Sequence, residues 1–178
     1  MTLPVDDSTI EDTDRERADL LETLAKHRGF LRFTVRDLDD EQARLRPTVS
    51  ALCLGGIVKH VTAVEDRWAD FIERGASAMD IADASAREGH AATFRMEEGE
   101  TLAGLLERYE ETAERTDALL RRLPSLDQAQ LLPAAPWFPP GSAWTARRVV
   151  LHLIAETSQH AGHADILREA IDGSKTMG

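Results

Sequence analysis

The sequence predicts an all-α protein, a bundle of four long helices with a long crossover between the second and the third. Aromatic residues make up only 5% of the chain, whereas Leu, Ala, Arg and Glu are abundant, and this composition favours helices over a strand-rich fold. Apolar residues also recur at intervals of three or four over long segments. At 178 residues the chain suffices for one sizeable core, so we expect a single domain over 1–178.

The first predicted helix runs from about Asp14 to Leu38. Its apolar stripe consists of Leu20, Leu24, His27, Leu31, Val35 and Leu38. The preceding residues, 1–12, are polar and acidic, and we expect them to form a mobile arm.

The second predicted helix follows Pro47, which interrupts the periodic pattern. Ser50 is a candidate N-cap, and the helix is expected to run to about Arg74, before Gly75. One face of this helix carries Ile57, His60, Val64, Trp68 and Phe71. The spacing therefore predicts that His60 faces the core.

The segment 76–99 shows no sustained periodicity and is predicted to be a connection. Its part ATFRM, residues 92–96, has the character of an extended stretch. The length of the connection fits a crossover along the bundle. A third helix then spans about Glu100 to Leu123 and ends at Pro124.

The segment before the last helix holds most of the chain's seven prolines, together with Trp137 and Phe138. Proline prevents a continuous helix here, and the two aromatic residues are expected to pin a loop that covers a pocket. Ser142 is a candidate N-cap for the fourth helix, which is expected to run to about Ile171 and to stop at Gly173.

The composition excludes several classes of function. A formal net charge of −11 repels phosphate backbones and no basic patch offsets it, so we expect no nucleic-acid partner. No apolar run is long enough to cross a bilayer, and the acidic start lacks the features of a secretory signal, so no membrane partner is expected. Cys53 is the single cysteine; we interpret it as a small buried residue outside any site and predict a cytoplasmic location.

The last predicted helix carries a polar stripe of residue types that bind metals. At about 100° per residue its members project within an arc of about 80°. They are His152, Glu156, His160 and His163. Glu156 and His160 can direct an oxygen and a nitrogen at one point, and His60 from a facing helix can supply a third ligand. The alternative is that Glu156 pairs with arginines while the histidines fill a solvated face.

Three protein ligands leave positions free for water or substrate, as in catalytic rather than structural zinc sites. The mixture of nitrogen and oxygen donors also admits nickel, iron or manganese. We therefore predict a divalent metal, with zinc as the first choice, and a small-molecule substrate.

Two segments resemble the DinB-like superfamily of metal-binding four-helix bundles. The last helix reads HLIAETSQHAGHADI, where the superfamily typically carries an H-x3-H-x3-H run. The earlier segment reads LGGIVKHVTAVEDRW, where the superfamily places its first metal-binding histidine, here His60. The resemblance covers essentially the whole chain, is strongest to a branch with the ending HAGHADILRE, and implies a homodimer of bundles.

Glu156 stands where many members of the superfamily have the middle histidine. The set of His60, Glu156 and His160 resembles the zinc site of mycothiol-dependent maleylpyruvate isomerase, a relative whose cofactor is a low-molecular-weight thiol. The resemblance carries over these three residues as metal ligands. His152 and His163 are candidates for orienting the ligands through hydrogen bonds, with a plain polar-face role as the alternative.

The resemblance implies a metal-dependent, thiol-dependent S-transferase or isomerase of the mycothiol type, acting on a small electrophile. Two alternatives remain open. One is a metal-dependent hydrolase of a small amide or ester, which would use a bound water of lowered pKa. The other is a non-catalytic metal-binding bundle with a role in stress.

Overall fold

The computed structural model describes residues 7–79 and 84–176. In chain order these residues form α1 (Asp7–Thr34), α2 (Asp40–Arg44), α3 (Leu54–Arg74), α4 (Ala84–Thr93), α5 (Leu102–Arg122), the strands β1 (Ala129–Leu131) and β2 (Ala143–Thr145), and α6 (Ala146–Asp172). The all-α prediction is confirmed, with α1, α3, α5 and α6 as the four long helices. None of the described helices is both long and apolar enough to cross a membrane.

The four long helices pack as a bundle in which α6 contacts α1 and α3, and α3 also contacts α5. Two apolar clusters fill this bundle. The first contains Leu31, Leu54, Ile57, Tyr109 and Leu167. The second contains Leu24, Phe71, Leu120, Val149 and Leu153.

A buried ion pair lies between the two clusters. Arg28 of α1 donates to the carboxylate of Glu65 of α3, from Nε at 3.1 Å and from Nη2 at 2.5 Å. Its Nη1 donates to Asp117 of α5 at 2.8 Å. Because each buried charge has an opposite partner, the bundle tolerates this polar layer, and loss of one partner would leave an uncompensated charge.

The helix termini differ from the predicted ones where a serine was expected to cap. Ser50 accepts from the amide of Leu52 within a turn, and α3 begins only at Leu54. Ser142 donates to the carbonyl of Pro139 at 2.7 Å, β2 follows, and Thr145 is the N-cap of α6. The predicted N-caps were therefore wrong, because both serine hydroxyls are engaged in preceding turns.

The remaining boundaries follow from local backbone chemistry. Thr101 caps α5 through a 3.1 Å hydrogen bond from the amide of Gly104, so α5 begins at Leu102, two residues after the predicted start. Gly75 and Gly173, with φ of 65° and 77°, end α3 and α6 as predicted. The first helix, α1, begins seven residues earlier than predicted and ends before Asp37, whose φ is 57°.

The predicted mobile arm over 1–12 is only partly described. Residues 1–6 lie outside the described residues, and 7–12 form the first turns of α1, so the arm stays a prediction. Their acidic composition, from which the arm was predicted, is also favourable near the N-terminus of a helix, where the helix dipole is positive.

The short helices α2 and α4 and the short strands β1 and β2 were not predicted. The helix α2 begins at a capping box formed by Asp39 and Gln42. The helix α4 lies in the predicted connection 76–99, and the segment 92–96 ends this helix and turns instead of forming an extended stretch. The strands β1 and β2 pair antiparallel on either side of the proline-rich segment.

The turn after α4 packs tightly on the first turn of α3. A Cβ built on Gly56 would meet the carbonyl oxygen of Phe94 at 2.0 Å, and one on Gly55 would meet Met96 Sδ at 2.6 Å. Heavy atoms cannot approach so closely, so this contact requires glycine. The connection is thereby held against α3 one turn before His60.

We predict that Gly56→Ala destabilises the protein by about 1–3 kcal/mol, because the backbone of the connection must move away from α3. Gly29→Ala is the matched control: Gly29 lies inside α1 and a Cβ there meets nothing within 4 Å. The control is expected to gain about 0.5–1 kcal/mol, the helical advantage of alanine over glycine. Urea denaturation measures both, and a Gly56→Ala variant as stable as the wild type would contradict the contact.

Candidate metal centre

Three predicted ligands from two helices lie together in the structure. One ligand atom from each of His60, Glu156 and His160 falls within 4.8 Å of the others. His60 is 2% and His160 8% exposed, whereas the side chain of Glu156 is 29% exposed. Among the described residues, this group can hold a metal ion, and its glutamate side remains accessible from solvent.

The antiparallel packing of α3 on α6 brings these residues together. The ring centroids of His60 and His160 are 4.8 Å apart. Two turns later in α3, the ring centroids of Trp68 and His152 are 4.9 Å apart. A later residue of α3 thus contacts an earlier residue of α6, which is the pattern of antiparallel helices. The helical spacing that places His60 in the core therefore also directs it at α6.

Glu156 lies between two histidines of its own helix. Its carboxylate is 3.6 Å from Nε2 of His160 and 4.0 Å from Nε2 of His152. The neighbouring imidazole of His160 lowers the pKa of Glu156, and burial opposes this effect. The carboxylate is thus ionised near neutral pH, the state in which it can bind a cation.

His60 is held in its neutral form. Burial, together with repulsion of positive charge by the neighbouring His160 and His90, lowers its pKa to about 3. A neutral imidazole keeps the lone pair that a metal ligand needs. Two imidazole nitrogens and one carboxylate oxygen form a donor set that fits zinc and the other transition metals considered.

The two other histidines of the stripe contact the predicted ligands. His152 approaches Glu156, and burial lowers the pKa of this histidine. Nδ1 of His163 is 3.5 Å from Nδ1 of His160, at the limit of a hydrogen bond. Both positions suit residues that orient ligands, and this role stays a prediction, as does ligation itself.

The site has a cover that the sequence did not reveal. Phe94 stacks on His60 with ring centroids 3.7 Å apart and an interplanar angle of 19°. His90, on α4, approaches the same ring at 5.1 Å, and Thr93 Oγ1 is 2.9 Å from His60 Nδ1. The available signal was the glycine pair before His60, since adjacent glycines in a helix often mark a close backbone approach.

An aromatic chain connects the proline-rich loop to the site. Phe138 contacts Trp144 at 5.9 Å, and Trp144 contacts His152 at 5.3 Å. Trp144 also stacks on Trp68 at 4.6 Å. Trp137 is 57% exposed and contacts Phe138 at 6.2 Å, so the loop is anchored through Phe138.

Cys53 lies outside the group of predicted ligands. It is buried, with Sγ 3.9 Å from the carbonyl oxygen of Phe94. The interpretation of Cys53 as a small buried residue is confirmed.

Comparison with known proteins shows a family and a structural likeness. A family model described as Mycothiol-S-transferase matches residues 19–173. No curated protein matches the chain. Among solved structures, the chain is similar to a conserved protein of a locus from Enterococcus faecalis, with a TM-score of 0.64 and 15% identity over 87% of this chain and 96% of that chain. This likeness shows the bundle fold alone.

We predict that the metal-free protein loses stability as the pH falls below about 6.5. The unfolded chain protonates His60 near pH 6.5, whereas the folded chain resists until about pH 3, so acid favours unfolding over this window. One such proton contributes a slope of up to about 1.4 kcal/mol per pH unit. His60→Gln should give a shallower slope of unfolding free energy between pH 6.5 and 5, and parallel curves would contradict the neutral buried state of His60.

Proposed function

Because the chain belongs to the mycothiol-S-transferase family, whose model matches residues 19–173, we propose that it is an S-transferase that joins a mycothiol-type thiol to a small electrophile. We propose that a divalent metal, with zinc as the first choice, assists the reaction and is held by His60, Glu156 and His160. The single observation that carries this proposal is the convergence of the three ligand atoms within 4.8 Å.

The charges of the proposed ligands support this chemistry. The neutral His60 and the ionised Glu156 both present lone pairs near neutral pH. When bound, a divalent metal would lower the pKa of a thiol, so that thiolate is available at neutral pH. The single carboxylate leaves a net positive site, which favours an anionic sulfur over a neutral one.

The reaction itself needs little further chemistry from the protein. The thiol loses its proton to solvent, and the sulfur electron pair forms a bond to the electrophilic carbon. The leaving group departs with the electrons of the broken bond. The protein's contribution is to bring the two reactants together, and the partly exposed side chain of Glu156 marks the side from which the thiol can approach.

The aromatic chain beside Glu156 is the proposed binding surface for the electrophile. His152 contacts both Glu156 and Trp144, so a molecule that contacts the exposed part of Trp144 would be next to the predicted ligands. The guanidinium of Arg148 lies over the same indole, 4.6 Å from its centroid. This surface combines apolar aromatic side chains with a positive charge that lies over the indole of Trp144.

The family also favours the predicted cytoplasmic location, because low-molecular-weight thiols are kept reduced in that compartment. The location and the homodimer stay predictions. The hydrolase alternative would use the same ligands, and it differs from the proposal in needing no added thiol.

We predict that zinc-loaded protein accelerates conjugation of mycothiol to a small bromoalkyl electrophile. Glu156→Gln should lower kcat/KM by at least about tenfold, because an amide is a poorer metal ligand than a carboxylate. Glu169→Gln is the matched control on the exposed face of α6 and should leave the rate unchanged.

Product is quantified by chromatography and mass spectrometry. Consumption of ester or amide substrates without added thiol would favour the hydrolase instead. Absence of conjugation with mycothiol and with several other small thiols would contradict the transferase proposal.

A further inference from the structure

Thr93, the last residue of α4, makes two hydrogen bonds with one hydroxyl group. Its Oγ1 is 2.9 Å from Nδ1 of His60. The same oxygen is 2.6 Å from the backbone carbonyl of His90, one turn earlier in α4. The side chain of Thr93 thus links a predicted metal ligand to the backbone of the crossover.

The direction of both hydrogen bonds follows from counting protons. A carbonyl oxygen can only accept, so the one hydroxyl proton of Thr93 is donated to His90. The hydroxyl oxygen must then accept from His60, and Nδ1 of His60 carries the ring proton. In the neutral imidazole, Nε2 is then the nitrogen with the free lone pair.

The residues directly after Thr93 are also fixed to α3. Phe94 stacks on the face of the His60 ring at 3.7 Å, while Thr93 holds its edge. The carbonyl of Phe94 rests against Gly56, and Lys59 Nζ donates to the carbonyl of Arg95 at 3.3 Å. The His60 ring therefore has little freedom to rotate.

We infer that Thr93 is a positioning residue that holds His60 as its Nδ1–H tautomer, so that Nε2 faces the carboxylate of Glu156 and the ring of His160. The inference rests on the proposed metal site and deepens it. A hydrogen bond from the second nitrogen of a ligand histidine sets the ring orientation and the basicity of the ligand nitrogen. Thr93 would serve this role although it lies in the crossover, outside the four long helices.

The test compares Thr93→Val, which keeps the shape and removes the hydroxyl, with Thr93→Ser, which keeps the hydroxyl. Zinc affinity is measured by competition with a chromogenic chelator. Histidine tautomers are measured by 15N NMR of metal-free protein, with His60 assigned by comparison with His60→Gln. Thr93→Val should bind zinc about 10–100-fold more weakly, and Thr93→Ser should restore most of the affinity.

The NMR measurement on wild-type protein decides the inference without any metal. The inference is supported if wild-type His60 shows an Nδ1–H signal and if Thr93→Val loses this signal or shows Nε2–H in its place. A wild-type His60 in the Nε2–H form, or a Thr93→Val variant with unchanged tautomer and unchanged zinc affinity, overturns it. A wild type that binds no zinc while keeping the Nδ1–H tautomer contradicts the proposed function and leaves the tautomer assignment standing.

Discussion

The close contact between the crossover and the first turn of α3 is the constraint on which the site depends. The carbonyl of Phe94 occupies the space that a side chain at position 56 would need, 2.0 Å from an ideal Cβ. Because the backbone is held there, the ring of Phe94 covers His60 and the hydroxyl of Thr93 reaches its Nδ1. The crossover is thus a wall of the site as well as a connection.

The other half of the site depends on helix packing and on charge. The antiparallel contact of α3 with α6 presents Glu156 and His160 to His60, and burial keeps His60 neutral while His160 keeps Glu156 ionised. The buried pair of Arg28 and Glu65 joins α1 to α3 between the two apolar clusters. Such a paired layer restricts how the helices can slide, since a shift would separate buried charges.

Much of this arrangement could be predicted from the sequence, because it depends on helical periodicity. The spacing of apolar residues predicted the four long helices, and it predicted that His60 faces the core toward Glu156 and His160. The caps at Ser50 and Ser142 were wrong because a serine hydroxyl can close a turn as readily as it can cap a helix, and only the surrounding backbone decides. The contacts of Thr93 and Phe94 with His60 could not be predicted from helical periodicity, because periodicity describes one segment at a time and these contacts join two segments.

The central claim is that His60, Glu156 and His160 together bind a metal, and metal content tests it most directly. Protein purified after growth with added zinc is analysed by inductively coupled plasma mass spectrometry, for the wild type, His160→Ala and the control His27→Ala on α1. The account predicts about one metal per chain in the wild type and the control, and loss of that metal in His160→Ala. Equal metal content in His160→Ala and the wild type, or no metal in any of the three proteins, would contradict it.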